Sequence, residues 1–113
     1  MAEANEAPAE AARREVAEEL GIGFGGGRLL VVDWVSPHGP WDDLVAFVFD
    51  GGVPAGETRA GIRLRDGELR QHRFVTPEVA ASLLRDYVWR RVSAALECAA
   101  NGTTAYLHNG SRV

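Results

Sequence analysis

Lysine is absent from this chain, and all twelve basic residues are arginine. With so many alanines, glycines and valines alongside, that bias points to a GC-rich coding sequence rather than to a functional demand. Cysteine is nearly absent as well. Cys98 is the single copy, so no internal disulfide can form, and a reducing, cytoplasmic setting fits. Cys98 falls in a predicted helix and reads as inert packing. There is no apolar run approaching ~18 residues and no signal-peptide pattern at the start, which gives no reason to place the chain in a membrane. A basic excess is missing too. The net charge of −4 and the pI near 5.3 argue against a groove for a nucleic-acid polymer or an anionic membrane surface. No internal repeat is visible. What remains is a 113-residue chain, 46% hydrophobic and 25% charged, which is ordinary for one small globular domain with a single core.

The most informative stretch is Glu6 to Ile22, EAPAEAARREVAEELGI. It predicts a helix from Pro8 to Leu20. Proline suits the first helical position, where a missing N–H costs nothing, and Gly21 suits the left-handed residue just past the end. Ala9, Ala12, Val16 and Leu20 form an apolar stripe that should face the core. Glu15, Glu18 and Glu19, spaced i, i+3, i+4, share a neighbouring strip of about 100°. Three like charges there repel one another, and acids in the last turn oppose the negative end of the helix dipole. A hard divalent cation removes both penalties by taking carboxylate oxygens. The competing reading is a solvated face with an Arg14–Glu18 i, i+4 pair.

The order of residues adds to the spacing. Arg14-Glu15-Val16-Ala17-Glu18-Glu19-Leu20-Gly21-Ile22 resembles the core of the Nudix box, R-E-U-x-E-E-x-G-U with U a bulky aliphatic, at every fixed position. Glu6 stands eight residues before Arg14, where the box has a glutamate, and Glu3 matches the acid usually found upstream. The box glycine would fall one residue before Met1. The expectation is therefore a Nudix domain without its front strands, with edges left open to pairing and a homodimer among the expected assemblies.

Further along, Gly23 to Gly27 (GFGGG) is a glycine-rich link. It is a poor phosphate loop, since no GK[ST] follows and the next element is a strand. Residues 28–35 (RLLVVDWV) predict a central strand covered on both faces, and residues 44–50 (LVAFVFD) a second buried strand. Val32, Phe47 and Val48 are the expected core positions. The loop SPHGPW between the strands carries His38 and Trp41, candidates to reach a phosphate and to stack on a base; Trp34 is a second stacking candidate. Residues 51–60 form a loop with Glu57, and short strands are expected at 61–66 and 68–75. Thr76-Pro77 opens a helix through Leu84. A second helix runs from Asp86 to Ala100 with an apolar face of Val88, Val92, Ala95, Leu96 and Ala99, stopped by Asn101-Gly102. Asn109-Gly110 is a hairpin signal in the tail, which reads as a small ribbon or a frayed end. Glu68 followed by Phe74-Val75-Thr76-Pro77 loosely resembles the segment after the box in Nudix proteins.

The resemblance implies an α/β fold, an α/β/α sandwich with a mixed sheet, N-terminally truncated. It implies a hydrolase that cleaves the diphosphate of a nucleoside diphosphate linked to another moiety. Mg²⁺ or Mn²⁺ would sit on Glu15, Glu18 and Glu19, and the substrate would be a nucleotide-derived small molecule. Glu15, Glu18, Arg14 and Glu68 are the expected catalytic set, with Glu57 a further candidate for handling the water proton. Trp41 and His38 are the expected substrate contacts. The alternative is a Nudix-like module that binds a nucleotide or a partner without catalysis.

Overall fold

The computed structural model describes residues 2–23, 27–52, 56 and 75–113. The chain divides into two compact units, Met1–Gly27 with Gly51–Arg73, and Arg28–Asp50 with Phe74–Val113. The expected strands at 61–66 and 68–75 lie almost wholly outside the described residues, as do Glu57 and Glu68.

In the first unit, helix α1 spans Pro8–Leu20, as its end signals predict. Pro8 holds the first position. Gly21 adopts φ 70° and donates its N–H to the Ala17 carbonyl at 3.0 Å. Ala7 has no side-chain acceptor for a cap. Glu10 compensates in part by accepting the Ala7 N–H at 3.2 Å. The buried residue of this helix is Ala11, and the expected stripe of Ala9, Ala12, Val16 and Leu20 is half-buried.

The second unit is a mixed four-stranded sheet with two helices. Its strands are β1 (Leu29–Val35), β2 (Leu44–Phe49), β3 (Ala105–His108) and β4 (Ser111–Arg112), in the order β2-β1-β3-β4. β1 pairs antiparallel with β2 and parallel with β3, and β3 pairs antiparallel with β4. Helix α2 spans Pro77–Leu83, and Thr76 accepts the Val79 N–H as its cap. Helix α3 spans Asp86–Asn101 and ends at Gly102, φ 70°. Leu84 and Arg85 are extended, which separates the two helices. The tail is an ordered ribbon: Asn109 (φ 49°) and Gly110 (φ 79°) make the two-residue turn that their sequence signals. β3, however, is an interior strand of the described sheet, which a four-residue run gave no reason to expect.

The core gathers Leu30, Val31, Ala94, Ala95, Cys98, Ala105 and Leu107, with Val48 packed against it. Four of these are alanine or cysteine, so α3 can lie close on the sheet. β1 is central, as predicted. β2 is not a buried strand: Leu44, Val45 and Phe47 are exposed, and Val32 is only half-buried. The reason is position. Among the described residues β2 pairs with β1 alone and forms an edge. The buried face of α3 also differs from the one expected. Ala94, Ala95 and Cys98 are buried, whereas Leu96 is 47% exposed and Ala99 is exposed. No described helix is long and apolar enough to cross a membrane.

Candidate metal and substrate site

Arg14 is the hub of the acidic helix. Its Nε donates to Glu6 Oε2 at 2.8 Å and its Nη2 to Glu6 Oε1 at 3.0 Å, a two-point guanidinium–carboxylate pair. Its Nη1 donates to Glu18 Oε2 at 3.1 Å. Glu15 and Glu3 stand at 3.7 and 3.8 Å. The eight-residue interval from Glu6 to Arg14 therefore spans a contact between the entry turn and the helix. Glu6 also closes that turn, because its N–H donates to the Glu3 carbonyl and its Oε1 accepts the Glu3 N–H. The side-chain bond from Arg14, then the bond from the Glu3 backbone, hold the Glu6 carboxyl down at about 2. The same bond raises the Arg14 guanidinium further above its already high value.

Four carboxylates thus stand within 4 Å of one guanidinium, and Glu19 lies on the same helix strip as Glu15 and Glu18. The paired hydrogen bond expected of Arg14 goes to Glu6, and the i, i+4 bond to Glu18 forms as well. The donors are hard carboxylate oxygens, suited to Mg²⁺ or Mn²⁺, and the Glu15 and Glu18 side chains are 34% and 54% exposed. Among the described residues, no three acidic, histidine or cysteine side chains are gathered closely enough to hold a metal together. In chemistry the donors fit such an ion; a shared site requires their side chains to turn toward one another.

In the second unit, His38 and Trp41 are brought together. Their backbones exchange two hydrogen bonds of 3.0 Å across Gly39-Pro40, with Gly39 at φ 55°. Trp41 is 67% exposed. His38 Nδ1 lies 2.9 Å from the Ser36 carbonyl, so Nδ1 carries the proton and donates. Trp34 is engaged differently: its Nε1 donates to Asp43 at 2.8 Å, and its ring meets His108 edge-on at 5.4 Å.

Sequence reasoning passed over Asp33. It is fully buried on β1, its Oδ2 accepts from Arg91 Nε at 2.7 Å, and its Oδ1 accepts the Gly110 N–H at 3.0 Å. One carboxylate thereby ties β1 to α3 and to the tail turn. The signal was present: an aspartate inside the apolar run LLVVDWV needs a buried partner.

A family model described as the NUDIX domain matches residues 1–96. No curated protein and no solved structure matches the chain. The family match covers the acidic helix with its Arg14 hub, the sheet strands β1 and β2 and most of α3, and the chain belongs to the Nudix family.

Proposed function

We propose that this chain is a metal-dependent Nudix hydrolase that cleaves the diphosphate of a nucleoside diphosphate linked to another moiety. Family membership gives the general class, hydrolase. The observation that supports the finer reading is the Arg14 hub, where one guanidinium, on the helix that also carries the strip of Glu15, Glu18 and Glu19, faces four carboxylates.

Glu15, Glu18 and Glu19 would hold Mg²⁺ or Mn²⁺. Such an ion neutralises diphosphate oxygens and makes water more acidic. Water adds its oxygen to one phosphorus, the P–O bond to the bridging oxygen breaks, and that oxygen leaves on the other phosphate. Glu15 is suited to accept the water proton, and Glu57 and Glu68 are the other candidates. Arg14 acts as a positioning residue: it fixes Glu6 through two bonds and Glu18 through one, which restricts where the carboxylates point. Trp41 and His38, side by side on one turn, are the proposed contacts to the base and to a phosphate.

The test is Mn²⁺ affinity of the wild type against Glu19→Gln, with Mg²⁺-dependent turnover of ADP-ribose and dinucleotide substrates measured on both. A large loss of affinity and of turnover is expected in the variant. Equal affinities would remove Glu19 from the site. The second reading, a module that binds without catalysis, draws on Arg14, which engages Glu18 by a hydrogen bond and Glu15 as an ion pair at 3.7 Å, protein partners rather than metal. Tight nucleotide binding with no turnover at any metal concentration would favour it.

A further inference from the structure

We infer that a cleft at the ends of β1 and β3 is a binding site for a phosphoryl group. The cleft has a volume of about 330 Å³ and is lined by Val35, Ser36, His38, Arg85, Tyr87 and Asn109. This extends the assignment of His38 as a phosphate contact and does not depend on the metal chemistry of α1.

Three separated segments bring these groups together: the exit of β1, the residue before α3, and the tail turn. In the first and last of these, hydrogen bonds orient the free polar end of His38 and of Asn109. Asn109 Oδ1 accepts from Ser36 N at 3.0 Å and Ser36 Oγ at 3.3 Å, so the amide nitrogen is the end left to donate. His38 Nδ1 is spent on the Ser36 carbonyl, which leaves Nε2 to donate when protonated or to accept a P–OH proton when neutral. The turn is itself anchored, because Asn109 N donates to the Trp34 carbonyl at 2.7 Å and Gly110 N to Asp33.

Among the described residues, the Arg85 guanidinium, the Tyr87 hydroxyl, the Asn109 amide nitrogen and His38 Nε2 make no hydrogen bond to protein. Four of the residues lining this one cavity therefore have side chains with unused hydrogen-bonding capacity, and one of them is a permanent cation. Arg91 is neutralised by Asp33, but Arg90 adds a second cation at the Asn109 carbonyl. Asp86 is the adjacent acid in sequence and does not line the cavity. Arginine presents two parallel donors to a tetrahedral oxyanion, which suits phosphoryl better than a halide. Val35 and the Tyr87 ring supply an apolar wall for whatever the phosphoryl is attached to.

The probe is inorganic phosphate, titrated at constant ionic strength with a chelator present and followed by the backbone amide resonances of Ser36, His38, Tyr87 and Asn109. Localised, saturable shifts are expected. Arg85→Gln should weaken binding by at least about tenfold, the loss of a charge-assisted hydrogen bond. Tyr87→Phe, which removes only the hydroxyl, should weaken it less. Arg13→Gln, which removes the same charge from exposed α1 surface, should leave it unchanged. Shifts that are diffuse or unaffected by Arg85→Gln, equal weakening by Arg13→Gln, or equally tight binding of acetate would overturn the assignment. With chelator present, none of these outcomes depends on the glutamates of α1, so failure here and failure of the hydrolase reading are separate results.

Discussion

Removing the Asp33 carboxylate is the sharpest test of how the second unit is held. Asp33 is 0% exposed and bonds Arg91 Nε at 2.7 Å and the Gly110 N–H at 3.0 Å. Deleting one partner of a buried pair typically costs about 3–5 kcal/mol. The Arg91 side chain retains 17% exposure, so a stranded guanidinium there finds some water, which places Asp33→Ala nearer the lower end. The Gly110 N–H loses its acceptor in the same variant, but losses around one group overlap and do not simply add. Arg91→Met should cost more than Asp33→Ala, because it strands a charge with no exposure at all. Asp33→Asn should not rescue, since its amide nitrogen must face one of two donors. The pair Asp33→Leu with Arg91→Met should recover much of the loss, because neither charge is then left buried alone. Urea unfolding followed by tryptophan fluorescence reads these as midpoint shifts at constant slope. A loss below about 1 kcal/mol for Asp33→Ala, or a double variant worse than both singles, would refute the reasoning.

Gly110→Ala should destabilise by about 2–4 kcal/mol in the same melts. It forces a left-handed φ of 79° on a residue with a Cβ, and that Cβ would meet the Tyr87 carbonyl oxygen at 2.6 Å. A change within ~0.5 kcal/mol would mean that the turn relaxes freely. Glu6 should titrate near 2 in carboxyl NMR, because Arg14 holds it there against an ordinary 4.5. The sign follows: with its folded value depressed, its contribution to the order of α1 is complete above about 4.5 and lost as pH falls toward 2. Glu6→Gln should remove that pH-dependent component, and a Glu6 midpoint near 4.5 would show that the Arg14 pair does not persist in solution.

The helix boundaries were legible because their signals are local. Pro8, Gly21, Thr76-Pro77 and Gly102 each act on backbone groups within a turn of themselves, so a single sequence contains the whole interaction. The buried face of α3 was not legible, and Arg91 shows why. Residues 91, 94, 95 and 98 follow i, i+3, i+4, i+7, but hydrophobic periodicity excludes an arginine and shifts the stripe toward Leu96 and Ala99. β1 repeats the pattern, with Asp33 between Val31 and Val35. Each element carries one charge at a core position, and each charge is accounted for only by the other, 58 residues away. The error on β2 has a different source. A continuous apolar run states that side chains can be buried, not how many neighbours the strand will find.

The same distinction separates the two candidate sites. The carboxylate strip lies on one helix, where 3.6 residues per turn converts spacing directly into proximity, so Glu15, Glu18 and Glu19 could be grouped by counting. Even Glu6, outside the helix, is within reach because the entry turn is short and Arg14 is long. The phosphoryl cleft has no such code. Ser36, Arg85 and Asn109 become neighbours only because β1 and β3 run parallel and end together, with α3 starting beside them. Parallel pairing requires a long connection, so side chains at such strand ends are always far apart in sequence. Asp33 then acquires a role that its own spacing does not suggest. By holding Gly110 it fixes the turn that carries Asn109, and by holding Arg91 it fixes the helix that begins just after Arg85. A buried ion pair with little net value for stability can therefore persist for the geometry it imposes, and loss of phosphate binding in the leucine–methionine double variant, with stability retained, is the result that this argument requires.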